Sequence, residues 1–145
     1  MIQIKKISAE ETYPIRLEVL RKNIPLPYQF DGDFDNDTFH LGAFKNEQLI
    51  AVSSYMKTSN NLFKGNQFQL RGMATLEAFQ GLGAGKLMME TAFEILVNLK
   101  IDCLWCNART NAVPFYKKLG MAIKGNSFDI KYVGLHYTMA KMFIF

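Results

Sequence analysis

The chain is poor in the residues that mark special classes of protein. It has two cysteines, four prolines, two histidines and a single tryptophan among 145 residues. So few cysteines exclude a scaffold held by disulfides. No apolar run reaches the roughly 20 residues that cross a bilayer as a helix. The opening residues, MIQIKKISAEE, alternate apolar and basic side chains and lack the apolar stretch of a secretion signal. No membrane partner is therefore expected, and the expected location is cytoplasmic. Lys and Arg outnumber Asp and Glu by 17 to 13, for a net charge of +4, and they are scattered. No basic block interleaved with aromatics offers a face to nucleic acid, so none is expected as a partner. Internal repeats, low-complexity tracts and linkers are also missing. What remains, 49% hydrophobic and 21% charged, describes one globular domain over residues 1–145, long enough to bury a proper core.

Two clusters suggest chemistry that their surroundings argue against. Cys103 and Cys106 form a CxxC pair, the spacing of redox and zinc sites. They lie in the apolar run Ile101–Cys106, which reads as a strand, where residues three apart point to opposite faces. With no second pair and no suitably spaced histidine, reduced structural thiols are expected. Asp31, Asp33, Asp35 and Asp37 alternate as in a calcium loop, but the sixth and twelfth places hold Asn36 and Gly42 rather than Gly and Glu. A solvated acidic loop is expected there, at most attracting a cationic amine, and no metal site.

The pattern of elements is mixed α/β. Ile2–Ile7 reads as a strand. Ser8 and Glu11 make a capping-box pattern, but Pro14 argues for a turn near Ser8 and a helix with Pro14 in its first turn, running to about Lys22. Residues 24–30, with Pro25 and Pro27, should be irregular. Thr38–Phe44 and Leu49–Met56 read as strands joined by the polar turn at residues 45–47. In the next strand, Gln67–Thr75, alternation puts Phe68, Leu70 and Ala74 on one face and Gln69, Arg71 and Met73 on the other. A long helix to about Leu99, the central strand Ile101–Asn107, a short helix Thr110–Leu119 ended by Gly120, and two strands, Met121–Phe128 and Tyr132–Phe143, complete the chain.

The stretch LRGMATLEAFQGLGAGKL (residues 70–87) carries the strongest functional signal. Gly81, Gly83 and Gly85 stand where a strand gives way to the long helix. Glycines there let a ligand approach the backbone, and a helix start offers unpaired N–H groups with partial positive charge, a ready anion site. A P-loop is excluded, because Gln80 and Leu87 stand where it needs Gly and Ser or Thr. A dinucleotide fingerprint fails as well, with Lys86 at its third glycine.

What fits is Gln80-x-x-Gly83-x-Gly85, which resembles the pyrophosphate-binding motif of the GNAT acyltransferase superfamily. A second segment, Asn107 to Met121 with Phe115, Tyr116, Leu119 and Gly120, resembles the family's Phe-Tyr-x-x-Leu-Gly-Phe. Met121 replaces the final Phe. The resemblance covers nearly the whole chain and implies the GNAT fold, α/β (α+β) with a mixed sheet of about seven strands and helices on both faces.

The resemblance also implies roles. Acetyl-coenzyme A would be the acyl donor substrate and a primary amine of a small molecule or protein the acceptor, by direct attack without a covalent enzyme intermediate. The cofactor-binding positions would be Gln80, Gly81, Leu82, Gly83, Ala84, Gly85 and Lys86 for the pyrophosphate, Met73, Ala74 and Thr75 beside the pantetheine arm, and Asn107 and Asn111 as further contacts. Capping of the short helix accounts for Asn111 or Thr110 nearly as well. Tyr116 matches the family tyrosine that protonates the departing thiolate. His136 in the last strand, or a water chain, would act as base, since imidazole titrates near neutrality. Arg71 is open between orienting a ligand and facing solvent. A homodimer would be in keeping with the family, the apolar run 142–145 serving either an interface or an end strand. A non-catalytic acyl-coenzyme A binding module is the alternative.

Overall fold

The computed structural model describes residues 1–144. Eight strands form a single sheet, in the order β1-β2-β3-β4-β5-β8-β6 with β7 also pairing with β8. They are β1 (Ile2–Ile7), β2 (Phe39–Lys45), β3 (Gln48–Met56), β4 (Gln67–Thr75), β5 (Cys103–Arg109), β6 (Ala122–Ile123), β7 (Phe128–Ile130) and β8 (Gly134–Met142). Three α-helices accompany them: α1 (Ala9–Ile15), α2 (Ala84–Asn98) and α3 (Val113–Lys118). All pairings are antiparallel except β4 with β5. This is the mixed α/β architecture expected, with eight strands rather than about seven. The extra strand comes from the stretch 121–128, which breaks at Gly125, φ +84°, into β6 and β7 against opposite ends of β8.

Two apolar layers flank the sheet. Met88, Met89, Ala92 and Leu96 of α2 pack with Leu41, Tyr55, Phe68 and Leu104 on one face, and Val113 and Tyr116 of α3 join them. On the other face, Ile15 of α1 packs against Val52 and Ala74. Cys103 and Cys106 are both buried free thiols in separate clusters, as the alternation requires. Burial pushes them up to about 11 and about 12, so neither is a thiolate near neutrality.

Helix α1 departs from expectation. Ser8 Oγ accepts from Glu11 N at 3.2 Å and Glu11 Oε1 accepts from Ser8 N at 3.0 Å, so the capping box forms and the helix starts at Ala9. Pro14 then sits inside the helix rather than in its first turn, and the chain continues as a π-helical turn, Arg16–Leu20. Two capping hydrogen bonds hold the early start. The N–H missing at Pro14 is accommodated just where the helical register widens. At the far end of the chain α3 closes in a Schellman arrangement, with Gly120 N donating to Lys117 O and Met121 N to Tyr116 O.

Candidate active site

The site begins with one extra residue in β4. Val52 pairs with Ala74 and Ser54 with Arg71, so Ser53 faces two residues, Gly72 and Met73. Such a bulge switches which face each later side chain takes. Phe68 and Leu70 therefore face α2, whereas Ala74 lies under α1, and Met73 returns to the α2 side. The simple alternation expected over 67–75 holds only up to the bulge. Gly72 has φ +65°, and a Cβ there would lie 2.9 Å from Phe30 Cε2 and 3.2 Å from Arg16 Nε.

Beyond the first part of β4 the sheet opens. β4 and β5 pair only over Gln67–Gln69 against Cys103–Trp105, after which they separate. A cavity of about 570 Å³ lies in the resulting cleft, walled by β4 and β5, by Arg21, Phe30 and Asp31 after α1, by Tyr116 of α3 and by His136 of β8. A second cavity, of about 600 Å³, lies at the start of α2 and is lined by Met73, Ala74, Thr75, Gln80, Gly81, Gly83, Ala84, Gly85 and Lys86, with Phe79 and Phe115. Met73 and Ala112 wall both, so the two cavities adjoin.

At the second cavity the backbone is the main donor. Gly83 caps α2 in the left-handed region, φ +88°, with no side chain capping the helix. The first bond across the cap runs from Leu87 N to Gly83 O, which leaves the N–H groups of Ala84, Gly85 and Lys86 without helical acceptors. Gln80 Nε2 donates to Thr75 O at 3.2 Å and so ties the glycine turn to β4. Leu82 points away, half exposed, and lines neither cavity.

In the cleft, Tyr116 is 6% exposed. Burial, and then the nearby Cys106 and Tyr55, push its phenol well above the ordinary tyrosine value, so it holds its proton at neutral pH. His136 is 4% exposed, and its Nδ1 lies 2.7 Å from Gly134 O. A carbonyl only accepts, so Nδ1 carries a hydrogen, and in the neutral ring Nε2 is then the acceptor. Asn107 lines the cleft and accepts from Thr138 Oγ1 at 3.0 Å. Asn111 is exposed and lines neither cavity. Neither it nor Thr110 caps α3, whose N-cap is Ala112.

Behind the cleft stands a buried polar network. Arg16, fully buried, pairs with both carboxylate oxygens of Asp33 at 2.8 and 2.9 Å and donates to Ser54 Oγ and Tyr28 O. His40 Nε2 donates to Asp33 O at 3.0 Å, and His40 Nδ1 takes the Ser54 hydroxyl hydrogen at 2.6 Å. Burial lowers the His40 pKa below its ordinary value, consistent with a neutral ring. Asp33 is thus a structural anion, and the acidic loop is not wholly solvated. The pull of a large buried cation outweighs the alternating pattern of the loop.

Three residues of the cleft, Arg21, Phe30 and Arg109, carried no sequence signal. Each reads locally as the end of an element, and only the fold brings them together. Arg71, open between two readings, is half-buried and faces the cavity with its guanidinium carbon 4.4 Å from the Phe30 ring centre.

The sequence profile described as the acetyltransferase (GNAT) family matches residues 3–121. The chain belongs to the GNAT family. It is an acyltransferase by that membership. The chain is also 36% identical over 143 residues to the uncharacterized N-acetyltransferase YitI of Bacillus subtilis (strain 168), covering 97% of this chain and 96% of that one. Among solved structures, the ElaA protein of Escherichia coli superposes with TM-score 0.81 at 20% identity, over 97% of this chain and 99% of that one. An aminoglycoside 6'-N-acetyltransferase complexed with coenzyme A superposes with TM-score 0.73 at 9% identity, over 97% and 96%. These two likenesses establish the GNAT fold, and acetyl-coenzyme A is the donor that GNAT acetyltransferases use.

Proposed function

We propose that the protein transfers an acetyl group from acetyl-coenzyme A to a primary amine of a small molecule or protein. The donor would lie along the joined cavities, from the start of α2 to the cleft between β4 and β5. The observation that carries this reading is the shared wall at Met73 and Ala112, which makes an anion site and a catalytic cleft two ends of one trough. The donor groups suit the ligand. The free N–H groups of Ala84–Lys86 fit a pyrophosphate, and the edge of β4 beyond Gln69, unpaired with β5, fits an amide-bearing arm.

When bound, acetyl-coenzyme A supplies the acetyl group as a thioester, open to attack by a neutral amine. Backbone N–H groups of β4 beyond its pairing with β5 would donate to the thioester oxygen, a contribution of roughly 3–4 kcal/mol in comparable sites. His136, which lines the cleft, would take at Nε2 the proton that an alkylammonium must lose before it attacks. Tyr116, kept protonated by its burial, gives its proton to the leaving sulfur.

The test is the release of free thiol when acetyl-coenzyme A meets a panel of amines. Tyr116→Phe should lower kcat by on the order of 100-fold while leaving the KM for acetyl-coenzyme A within about twofold. An unchanged kcat would remove Tyr116 from the mechanism. Tight binding of acetyl-coenzyme A without turnover of any amine would make the protein a binding module instead.

A further inference from the structure

The cleft is rich in arginine. Arg16, Arg21 and Arg71 surround the Phe30 ring, with guanidinium carbons 3.9, 5.5 and 4.4 Å from its centre. Arg16 is neutralised by Asp33. Arg21 spends its donors on Pro27 O and Leu20 O, both main-chain carbonyls. Neither the Arg71 nor the Arg109 guanidinium donates a hydrogen bond to, or forms an ion pair with, any described residue, although both residues line the cavity and both are half-buried. The one carboxylate lining the cavity, Asp31, is exposed. Arg21, Arg71 and Arg109 line the same cavity, and burial, then the like charges of Arg109, Arg71 and Arg16, hold Arg21 below the ordinary arginine value.

A half-buried guanidinium with no hydrogen-bonded anion is desolvated. At Arg71 burial and the Arg16 charge outweigh the pull of Asp33 and Asp31, holding it below the ordinary arginine value. Its planar fork matches the two oxygens of a carboxylate or phosphate. Position matters as well. Arg109 stands directly opposite His136 across β5 and β8, so their Cα atoms are about 5 Å apart and both side chains rise from the same face of the sheet. That pairing puts a candidate anion-binding group and the proposed base on one wall of the cleft, which suits a compact molecule that carries both an amine and an oxyanion.

We propose that the acceptor is a small amine that itself carries an oxyanion, carboxylate or phosphate, held by Arg71 and Arg109. This rests on the acetyltransferase reading above. The chemistry balances without another reactant. The ammonium proton goes to His136 and on to water, and the amine nitrogen gains the acetyl carbon as the carbon–sulfur bond breaks. The thiolate takes a proton from Tyr116, and the second proton that the nitrogen sheds on becoming an amide restores the phenol through solvent. Asp33, committed to Arg16, is then not free to draw a cationic substrate, and of the acidic loop Asp31 alone lines the cavity.

The experiment compares matched acceptors at saturating acetyl-coenzyme A: a set of amino acids, their carboxamides, phosphoethanolamine, and polyamines. The anionic members should exceed the carboxamides and polyamines at least tenfold in kcat/KM, and whether amino acids or phosphoethanolamine lead tells carboxylate from phosphate. Arg71→Met and Arg109→Met should each raise the KM for the preferred acceptor at least tenfold and shrink its advantage over the neutral analogue. The KM for acetyl-coenzyme A should stay within twofold. Arg71→Lys should recover part of the loss through its charge.

Equal or better use of carboxamides or polyamines overturns the proposal, as does an equal effect of both arginine variants on charged and neutral acceptors. If acetyl-coenzyme A binds and a neutral or cationic amine is acetylated while no anionic amine is, the proposal again falls and the acetyltransferase reading stands. Failure of acetyl-coenzyme A itself to bind, followed by calorimetry, overturns both.

Discussion

At the scale of single residues, the most consequential pair is Arg16 with Asp33, because it positions Phe30 and so one wall of the cleft. Burial alone would raise the Asp33 pKa, but the hydrogen bonds from Arg16 and from Phe30 N–H, together with the Arg16 charge, hold it below the ordinary carboxylate value. A carboxylate depressed on folding stabilises the protein fully above its unfolded pKa, about 3.9, and loses that contribution as pH falls through the folded value. Asp33→Asn keeps the shape but leaves Arg16 as a buried cation without a partner, which should cost about 3–5 kcal/mol at pH 7. The thermal midpoint should fall on the order of 10 °C. The gap between wild type and variant should then begin to narrow below about pH 4, where the unfolded carboxylate takes up its proton, and close as pH falls through the depressed folded value. A gap that persists unchanged to pH 2 would show that the cost comes from packing and not from charge.

At the scale of elements, the bulge in β4 organises the site. Gly72 is required twice over, by its φ of +65° and by the approach of Phe30 and Arg16. Gly83, φ +88°, is required only for its conformation, because nothing lies within 4 Å of a Cβ built there. Left-handed backbone costs an ordinary residue about 1–2 kcal/mol. Gly83→Ala should therefore cost about that much in chemical denaturation. Gly72→Ala should cost distinctly more and should also weaken acceptor binding, because Phe30 and Arg16 must shift. Equal midpoints for the two variants would mean that the Phe30 wall yields freely.

The elements near the glycine turn were readable because their signals are local. A strand, three glycines and a helical stripe of apolar residues lie within thirty positions, and β4 and α2 form within a residue of the expected bounds. The start of α1 was misjudged because two rules collide there. A capping box favours a helix at Ala9 and Pro14 opposes it, and the balance depends on the π turn that follows. The single strand expected over 121–128 fails for a similar reason, since β8 has room for two short partners and Gly125 lets the chain step between them.

At the scale of the whole molecule, the separation of β4 from β5 turns a continuous sheet into an enclosing one. A ligand lying in the trough would touch α2, β4 and α3 together and so stabilise the fold as a unit. Acetyl-coenzyme A at about 100 times its Kd should add roughly 2.7 kcal/mol, raising the thermal midpoint by several degrees, while ATP at the same concentration should shift it little. A shift with ATP alone would assign the glycine turn to a different ligand.

The sequence by itself determined the α/β class, the order of the principal elements, the glycine turn and the motif ending in Tyr116-x-x-Leu119-Gly120, all of which depend on neighbours within a turn or a strand. Only the tertiary structure decided the bulge, the opening of the sheet and the gathering of Arg71, Arg109 and Phe30 around one cleft. Those depend on how strands far apart in the chain register against each other, and on where a buried Arg16 finds its anion. No local pattern encodes either, because the energies involved belong to contacts made only when the chain is closed.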